Sequence, residues 1–488
     1  MEAKWLFKQV DAVHLRPTDR AAGAWFGDPV PFYWDGVYHL FYVWDQGHLV
    51  LPRVCHSWGH FVSRDLVAWE EAPMAIEPEP EASCGTGSVF HKDGVFHLYY
   101  LGRYFTPNGV MYETMCHATS RDLIHWVKDA DNPFSRPDLT RYAISDWRDG
   151  FPIWNEAAGE YWMLVTASLP GGPAGRRGCL ALLTSPDLRR WEAKAPFWAP
   201  CLTRHIECPD LFAWNGWWYL IWSGHRTPEG GTFYRRSRSI TGPWETPPVD
   251  TFDGSAFYAA KTAGAGGRRF LFGWTGTRKG DTDAGVMQWG GHGLVREIWQ
   301  DADGYLWPRC VPERLALGSP LPAPVWTPQL GQWSGAAGGH GADLAVAHRW
   351  GLAYATAPAP RNCLLRCRFT PVGPTQRFGL YLRTDEQLCA GYQVTVEPGR
   401  NRVSLTGFGP QDTSPVQPMI RPLTCTPGQS HELAVFVSGT ITEVFVDGRV
   451  ALANRLYDHR GPTIGLFVEE GAGIFSEICL RELPAETW

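Results

Sequence analysis

The sequence predicts an all-β chain: a five-bladed β-propeller followed by a C-terminal β-sandwich. Three observations predict it. A hairpin of two apolar strands around a polar turn recurs five times, at a period of about 50 to 65 residues. Few helical patterns lie between the copies, and four short strands per period is the pattern of propeller blades. Past position 337 the pattern becomes short alternating strands broken by turn residues, as in a sandwich. At 488 residues the chain is too long for one small core and suits two domains.

The first copy, 31–42, sets the unit. Phe32-Tyr33-Trp34, Asp35-Gly36 and Tyr38-His39-Leu40-Phe41-Tyr42 read as strand, tight turn and strand, because aromatic residues around an Asp-Gly pair favour a hairpin. The other copies are 89–102, 151–168, 211–224 and a divergent fifth, 257–274. A second pattern follows the hairpins: Ser63-Arg64-Asp65-Leu66 with Trp69, Ser120-Arg121-Asp122-Leu123 with Trp126, Ser185-Pro186-Asp187-Leu188 with Trp191, and Ser239 with Gly242-Pro243-Trp244. Residues 286–312 are expected to close the ring, giving a propeller over 1–315. The Pro- and Gly-rich stretch within 316–336 reads as a linker. A sandwich domain is expected over 337–488, with strands at 363–370, 377–383, 392–396, 402–407, 433–437, 442–446 and 464–468.

Composition narrows the class. Hydrophobic residues make up 44% of the chain and the net charge is −6 with signs interspersed, so there is no basic stripe for nucleic acid and no charged tail. The 25 tryptophans suit packed sheets and the flat faces of sugars. The first twenty residues lack a basic head followed by an apolar core, and no later stretch is long and apolar enough to span a membrane, so the expected location is the cytoplasm. The 12 cysteines are scattered, with no CxxC pair or zinc-type cluster. Cys363 and Cys367, four apart on an expected strand, point to one face, and free thiols are expected throughout.

Three acids stand at or just before the start of hairpin units: Asp28 before the first, Asp149 in Asp146-Trp147-Arg148-Asp149-Gly150 before the third, and Glu207 in Glu207-Cys208-Pro209-Asp210 before the fourth. All three are expected to occupy the same place in their repeat, which puts them at one end of the propeller axis. At the second unit the small residues Cys84-Gly85-Thr86-Gly87-Ser88 leave room for a ligand. Carboxylates gathered in one pocket are what glycoside hydrolysis needs: one protonates the leaving oxygen, a second attacks the anomeric carbon or activates water. Neighbouring like charges are expected to raise one pKa and keep the acid protonated. The plainer alternative is that each acid caps a strand end or pairs with Arg148 or Arg204. His60 is expected to hold a loop and His292 to pack or line the pocket. Cys208 either tunes Glu207 or is inert.

These motifs resemble glycoside hydrolase family 32, the invertases, levanases and inulinases, over nearly the whole chain. Trp25-Phe26-Gly27-Asp28-Pro29 is similar to that family's W-x-N-D-P-N-G, Trp58-Gly59-His60 with Ser63, Asp65, Leu66 and Trp69 to its W-G-H-A-x-S-x-D-L-x-x-W, Arg148-Asp149 to R-D-P, and Glu207-Cys208-Pro209-Asp210-Leu211 to E-C-P-D-L. Asp253-Gly254 with Phe257-Tyr258-Ala259 resembles D-x-G-x-x-F-Y-A, and Gly273-Trp274 the late G-W. The resemblance implies a retaining hydrolase of terminal β-D-fructofuranosyl units, with Asp28 as nucleophile, Glu207 as acid/base and Asp149 as transition-state stabiliser. It places Arg148, Trp25, Trp58, Thr86, Tyr258 and Trp274 in substrate binding. It implies no metal or organic cofactor, a small carbohydrate as partner, neither nucleic acid nor membrane, and leaves room for a homo-oligomer. The chain departs from the family at Gly27, Val30, Val43, Gly85, Thr86 and Gly150, so the acids are kept and the shell around the sugar is altered. A hydrolase or transferase for another furanoside, such as an arabinofuranoside, and an inactive carbohydrate-binding relative are the alternatives.

Overall fold

The computed structural model describes residues 7–485 apart from 11, 20–22, 50–53, 226–229, 336–343, 356, 386, 410–417 and 427. The described residues are nearly all β, with three short 3-10 turns among them, at Ala174–Arg176, Pro312–Ala316 and Pro398–Arg400. No described helix is long and apolar enough to cross a membrane.

Each expected hairpin forms. Its leading strands are Ala24–Trp34, Ser83–Lys92, Arg148–Asn155, Glu207–Trp214 and Tyr258–Ala265, each paired antiparallel with the next strand. At the first turn Asp35 and Gly36 both have positive φ, 46° and 78°, as a two-residue hairpin turn requires, and Asp-Gly or Asn-Gly serves the same purpose at 93–94 and 215–216. The recurring Ser-x-Asp-Leu is also a turn. Ser63 Oγ accepts from Leu66 N at 2.8 Å, Asp65 Oδ1 accepts from Val67 N and Ala68 N, and Leu66 takes φ 65°. Ser120-Asp122-Leu123 repeats it, bond for bond.

The five leading strands lie in a ring, each against the next in chain order, with Tyr258–Ala265 returning to Ala24–Trp34. Strand Met287–Gln300 belongs to the last unit and also pairs with the first leading strand at Gly291 and Phe26, so the two ends of the ring share one nine-stranded sheet. The expected closing segment is therefore this strand followed by Leu306–Arg309.

Residues 319–482 contribute a thirteen-stranded sheet. It folds over itself: Val403 and Leu405, near one end of its strand order, share a core with Val444, Val446 and Leu452 near the other. All seven strands expected there form, within a residue or two of the expected ends. Cys363 and Cys367 both point into that core, and all 12 cysteines are free. The stretch expected as a linker differs in part. Ser319–Pro320 and Trp326–Ser334 are edge strands of this sheet, because backbone pairing with Ala472–Glu482 and Leu344–Ala355 outweighs the local Pro and Gly signal. Residues 336–343, where the second domain was expected to begin, lie outside the described residues, as do residues 1–6 of the opening segment.

Candidate active site

Every leading strand carries a β-bulge near its start, one extra residue against its partner. The pairing jumps between Phe26 and Pro29, Gly85 and Gly87, Arg148 and Phe151, Glu207 and Asp210, and Tyr258 and Lys261. Bulges bend the strand and re-aim its side chains. In three of them the second residue, Asp149, Cys208 or Ala259, is held at positive φ, 59°, 53° and 54°. The register also corrects the expectation that the three acids share one repeat position. Glu207 stands first in its bulge, Asp149 second and Asp28 third. The different steps let three strands around a ring turn three carboxylates into one space.

That space is a cavity of about 580 Å³ lined by Asp28, Thr86, Arg148, Asp149, Glu207 and Tyr258, among others. Arg148 ties the acids together. Its Nη1 donates to Glu113 Oε2 at 2.9 Å and Asp146 Oδ1 at 2.7 Å, its Nη2 donates to Glu207 Oε1 at 2.8 Å, and its Nε lies 3.9 Å from Asp149 Oδ2. Tyr258 donates its hydroxyl to Glu207 Oε2 at 2.5 Å. Asp149 Oδ2 accepts from Thr166 Oγ1 at 3.1 Å and from the Cys208 N–H at 3.0 Å, the bond that the turned Cys208 backbone makes available. Asp28 has a different environment: Trp274 Nε1 donates to Oδ1 at 2.9 Å and the Thr86 hydroxyl donates to Oδ2.

Those partners separate the acids electrostatically. Burial pushes Asp28 up to about 6, aided by the charges of Asp149 and Glu207, and its two neutral donors only partly offset this. Burial also raises Asp149, against the pull of Arg148. Burial acts upward on Glu207 too, but the Arg148 charge and the Tyr258 and Arg148 hydrogen bonds prevail and hold it below its ordinary value. Asp28 thus keeps its proton to higher pH than Glu207 does, the reverse of the expected order.

Of the other residues singled out, Arg148, Thr86 and Tyr258 line the cavity, and Trp274 touches Asp28. Trp58 does not line it: the ring is fully buried and its N–H is satisfied by the Gly85 carbonyl at 2.8 Å, behind the wall. Trp25 faces a different cleft, with Arg16, His292 and Arg455, because strand alternation turns it away from its neighbour Phe26, which packs in the core on Tyr42. His292 joins Arg455 there, its Nδ1 2.6 Å from Nη2. His60 is buried and neutral beside His39 and stacked on Phe41. Burial raises the Cys208 thiol far up, so this residue acts through its backbone.

The sequence reasoning missed Glu113, which anchors Arg148 from the third strand of the second unit, and Trp289, which enters the cavity wall from the closing strand. No local motif marks either. Asp146 was visible in its motif without a role.

Residues 14–308 match the profile of the glycosyl hydrolases family 32 N-terminal domain, and residues 355–482 that of the family 32 C terminal. The chain is 25% identical to sucrose-6-phosphate hydrolase of Escherichia coli, over 96% of this chain and 94% of that protein. It is 29% identical to the cell wall isozyme of beta-fructofuranosidase from Zea mays over 57% of its own length, spanning about half, 52%, of that relative. Among solved structures it superposes on sucrose-6-phosphate hydrolase from Lactobacillus gasseri with a TM-score of 0.72 at 19% identity, over 94% of this chain and 90% of that one.

Proposed function

Because the chain belongs to glycosyl hydrolases family 32, we propose that it is a retaining glycoside hydrolase releasing a terminal β-D-fructofuranosyl unit from sucrose or short fructo-oligosaccharides. The observation that carries this is the convergence of Asp28, Asp149 and Glu207, from three separate strands, on one cavity around Arg148.

In this reading an Asp28 oxygen attacks the anomeric carbon as the glycosidic C–O bond breaks, and Glu207 gives its proton to the leaving oxygen. Glu207 then takes a proton from water, whose oxygen displaces Asp28 and restores the enzyme. Asp149, fixed by Thr166 and the Cys208 N–H, offers its free oxygen to ring hydroxyls as positive charge develops on the sugar. Tyr258 and Arg148 orient Glu207. For Glu207 to act as the acid, substrate must loosen its contact with Arg148, which keeps Glu113 and Asp146 as partners.

The ring of leading strands is read as a five-bladed propeller forming a catalytic domain over 1–315, with the thirteen-stranded sheet of 319–482 as a supporting sandwich. Twelve free cysteines suit a reducing compartment such as the cytoplasm. The test is sugar release from sucrose, short inulin and levan oligomers, and aryl arabinofuranosides, with Glu207→Gln as the blank and the anomer of the first-formed product read by NMR. Fructose released first as the β-anomer is the expected result. Inversion would reassign Asp28 to water activation, and release only from arabinofuranosides would move the substrate.

A further inference from the structure

The cavity has two chemically different sides. The third, fourth and fifth leading strands supply Arg148, Asp149, Glu207 and Tyr258. The first two units and the closing strand supply Val43, Gly85, Leu101 and Trp289. Asp28 and Thr86 lie on the second side, with Arg103, which is paired with Glu113 at 3.4 Å, and His56, which is bonded to Asp45 at 3.2 Å and covered by Trp289; the rest of that side is hydrocarbon.

Two glycines create that hydrocarbon. A Cβ on Gly27 would fall 2.2 Å from Trp289 Cη2, so the benzo edge of the indole occupies the room of any side chain beside Asp28. A Cβ on Gly85 would fall 2.5 Å from Leu101 Cδ2, so leucine fills the room beside Thr86. Trp289 is held in place. It stacks on His56 at 4.4 Å and 19°, lies 5.4 Å from Trp274, and its carbonyl is 2.7 Å from His48 Nδ1. At 38% exposed, it keeps a face open to a ligand.

We propose that Trp289, backed by Val43 and Leu101, is the specificity-determining wall of this site, and that it selects a furanosyl unit whose edge beside Asp28 is hydrocarbon, a deoxyfuranoside over its fully hydroxylated parent. This rests on the furanosidase reading. A ring edge of C–H bonds packs on the indole of Trp289 without loss, with Val43 and Leu101 buried behind it. A hydroxyl on that edge gives up water and gains no partner from these side chains, which costs a factor of roughly ten to a hundred in kcat/KM. The opposite edge keeps its hydroxyls for Asp149 and Arg148.

The experiment compares an aryl β-D-fructofuranoside with its 1-deoxy and 6-deoxy analogues. It reads kcat/KM in the wild type, Trp289→Phe and Trp289→Gln, and binding by calorimetry in Glu207→Gln. One deoxy analogue is expected to exceed the parent by about tenfold or more, Trp289→Phe to keep most of that preference, and Trp289→Gln to bring the ratio within about threefold. Turnover that Glu207→Gln abolishes, but with equal kcat/KM for all three substrates, overturns the wall and leaves the furanosidase reading standing. A preference that survives in Trp289→Gln also overturns it. Preferential binding without turnover supports the wall and overturns the furanosidase reading. Neither binding nor turnover overturns both.

Discussion

At the junction between the strand ring and the thirteen-stranded sheet, Glu443 is fully buried and every charge beside it is matched. Its Oε1 accepts from Arg314 at 2.7 Å and from His14 at 2.9 Å, its Oε2 accepts from Arg296, and Arg296 in turn donates to Asp253 at 2.8 Å. In the cavity, Asp28 is only partly buried, and its partners are a hydroxyl and an indole N–H. Burial acts upward on both carboxyls. Two arginines overturn it at Glu443 and hold that group well below its ordinary value, whereas two neutral donors cannot do so at Asp28. Buried charge with a matching counter-charge holds two parts of the chain together. Buried charge left with neutral partners is reactive, and its cost is borne by the fold.

Removing the unmatched group tests the reactive half of this contrast and carries the largest expected effect. Asp28→Asn and Glu207→Gln should each lower kcat by at least about a thousandfold, as loss of a nucleophile or of acid/base assistance does, with an unchanged circular dichroism spectrum. Steady-state turnover near the wild-type rate in either variant would remove that residue from its assigned role.

The matched cluster should respond in stability instead. Glu443→Gln leaves Arg296 and Arg314 buried beside a neutral amide, and breaking such a pair costs about 3–5 kcal/mol. Urea unfolding should show a loss of that size, while kcat of the folded variant stays within about threefold, since separate clusters act independently. A large fall in kcat with little change in stability would show that the two clusters are coupled.

Arg148 belongs to both descriptions, because it balances charge and also orients Glu207. Lysine would keep the charge and lose the planar fork that reaches Glu113, Asp146 and Glu207 together. Arg148→Lys should therefore lower kcat/KM by about ten- to a hundredfold, and the basic limb of the pH profile should move upward as Glu207 is released. Lost activity with an unmoved limb would leave Arg148 as a structural counter-charge alone.

What the sequence made legible follows the same division between local and distant causes. The hairpins could be read because Asp-Gly and Asn-Gly fix the turn within a few residues. The acids could be read because each lies in a compact motif. The strands Leu344–Ala355 and Val450–Arg455 were not read, since LAVAHRWGLAYA and VALANR are rich in Ala and Leu, which favour helix locally, and only pairing with distant strands makes them extended. Trp289 over Gly27 and Glu113 under Arg148 were invisible for the same reason: each is a contact between strands of different units. The pKa order was misjudged because proximity of acids was visible in the motifs, while the uneven sharing of Arg148 was not.

The pH dependence of stability discriminates most finely between matched and unmatched charge. Asp28 rises from 3.8 to about 6 on folding, so the folded chain holds a proton that the unfolded chain releases between those values. The protonated form contributes stability that is complete below the ordinary value and is lost as pH rises through about 6. Asp28→Asn removes this loss. The amide oxygen can still accept from Trp274 and the amide nitrogen can donate to the Thr86 oxygen, so the local bonds survive. The variant should match the wild type below about pH 4 and exceed it above about pH 6, by up to about 3 kcal/mol at 1.36 kcal/mol per pH unit. Glu207, held low by Arg148, has the opposite sign: its stability is present above its ordinary value and lost as pH falls, so Glu207→Gln should weaken the fold at neutral pH and converge on the wild type in acid. Urea titrations of both variants across this range should diverge in sign. A common sign would mean that Asp28 and Glu207 share the cavity's electrostatics evenly, and that the junction and the cavity differ in degree of burial and not in how their charges are matched.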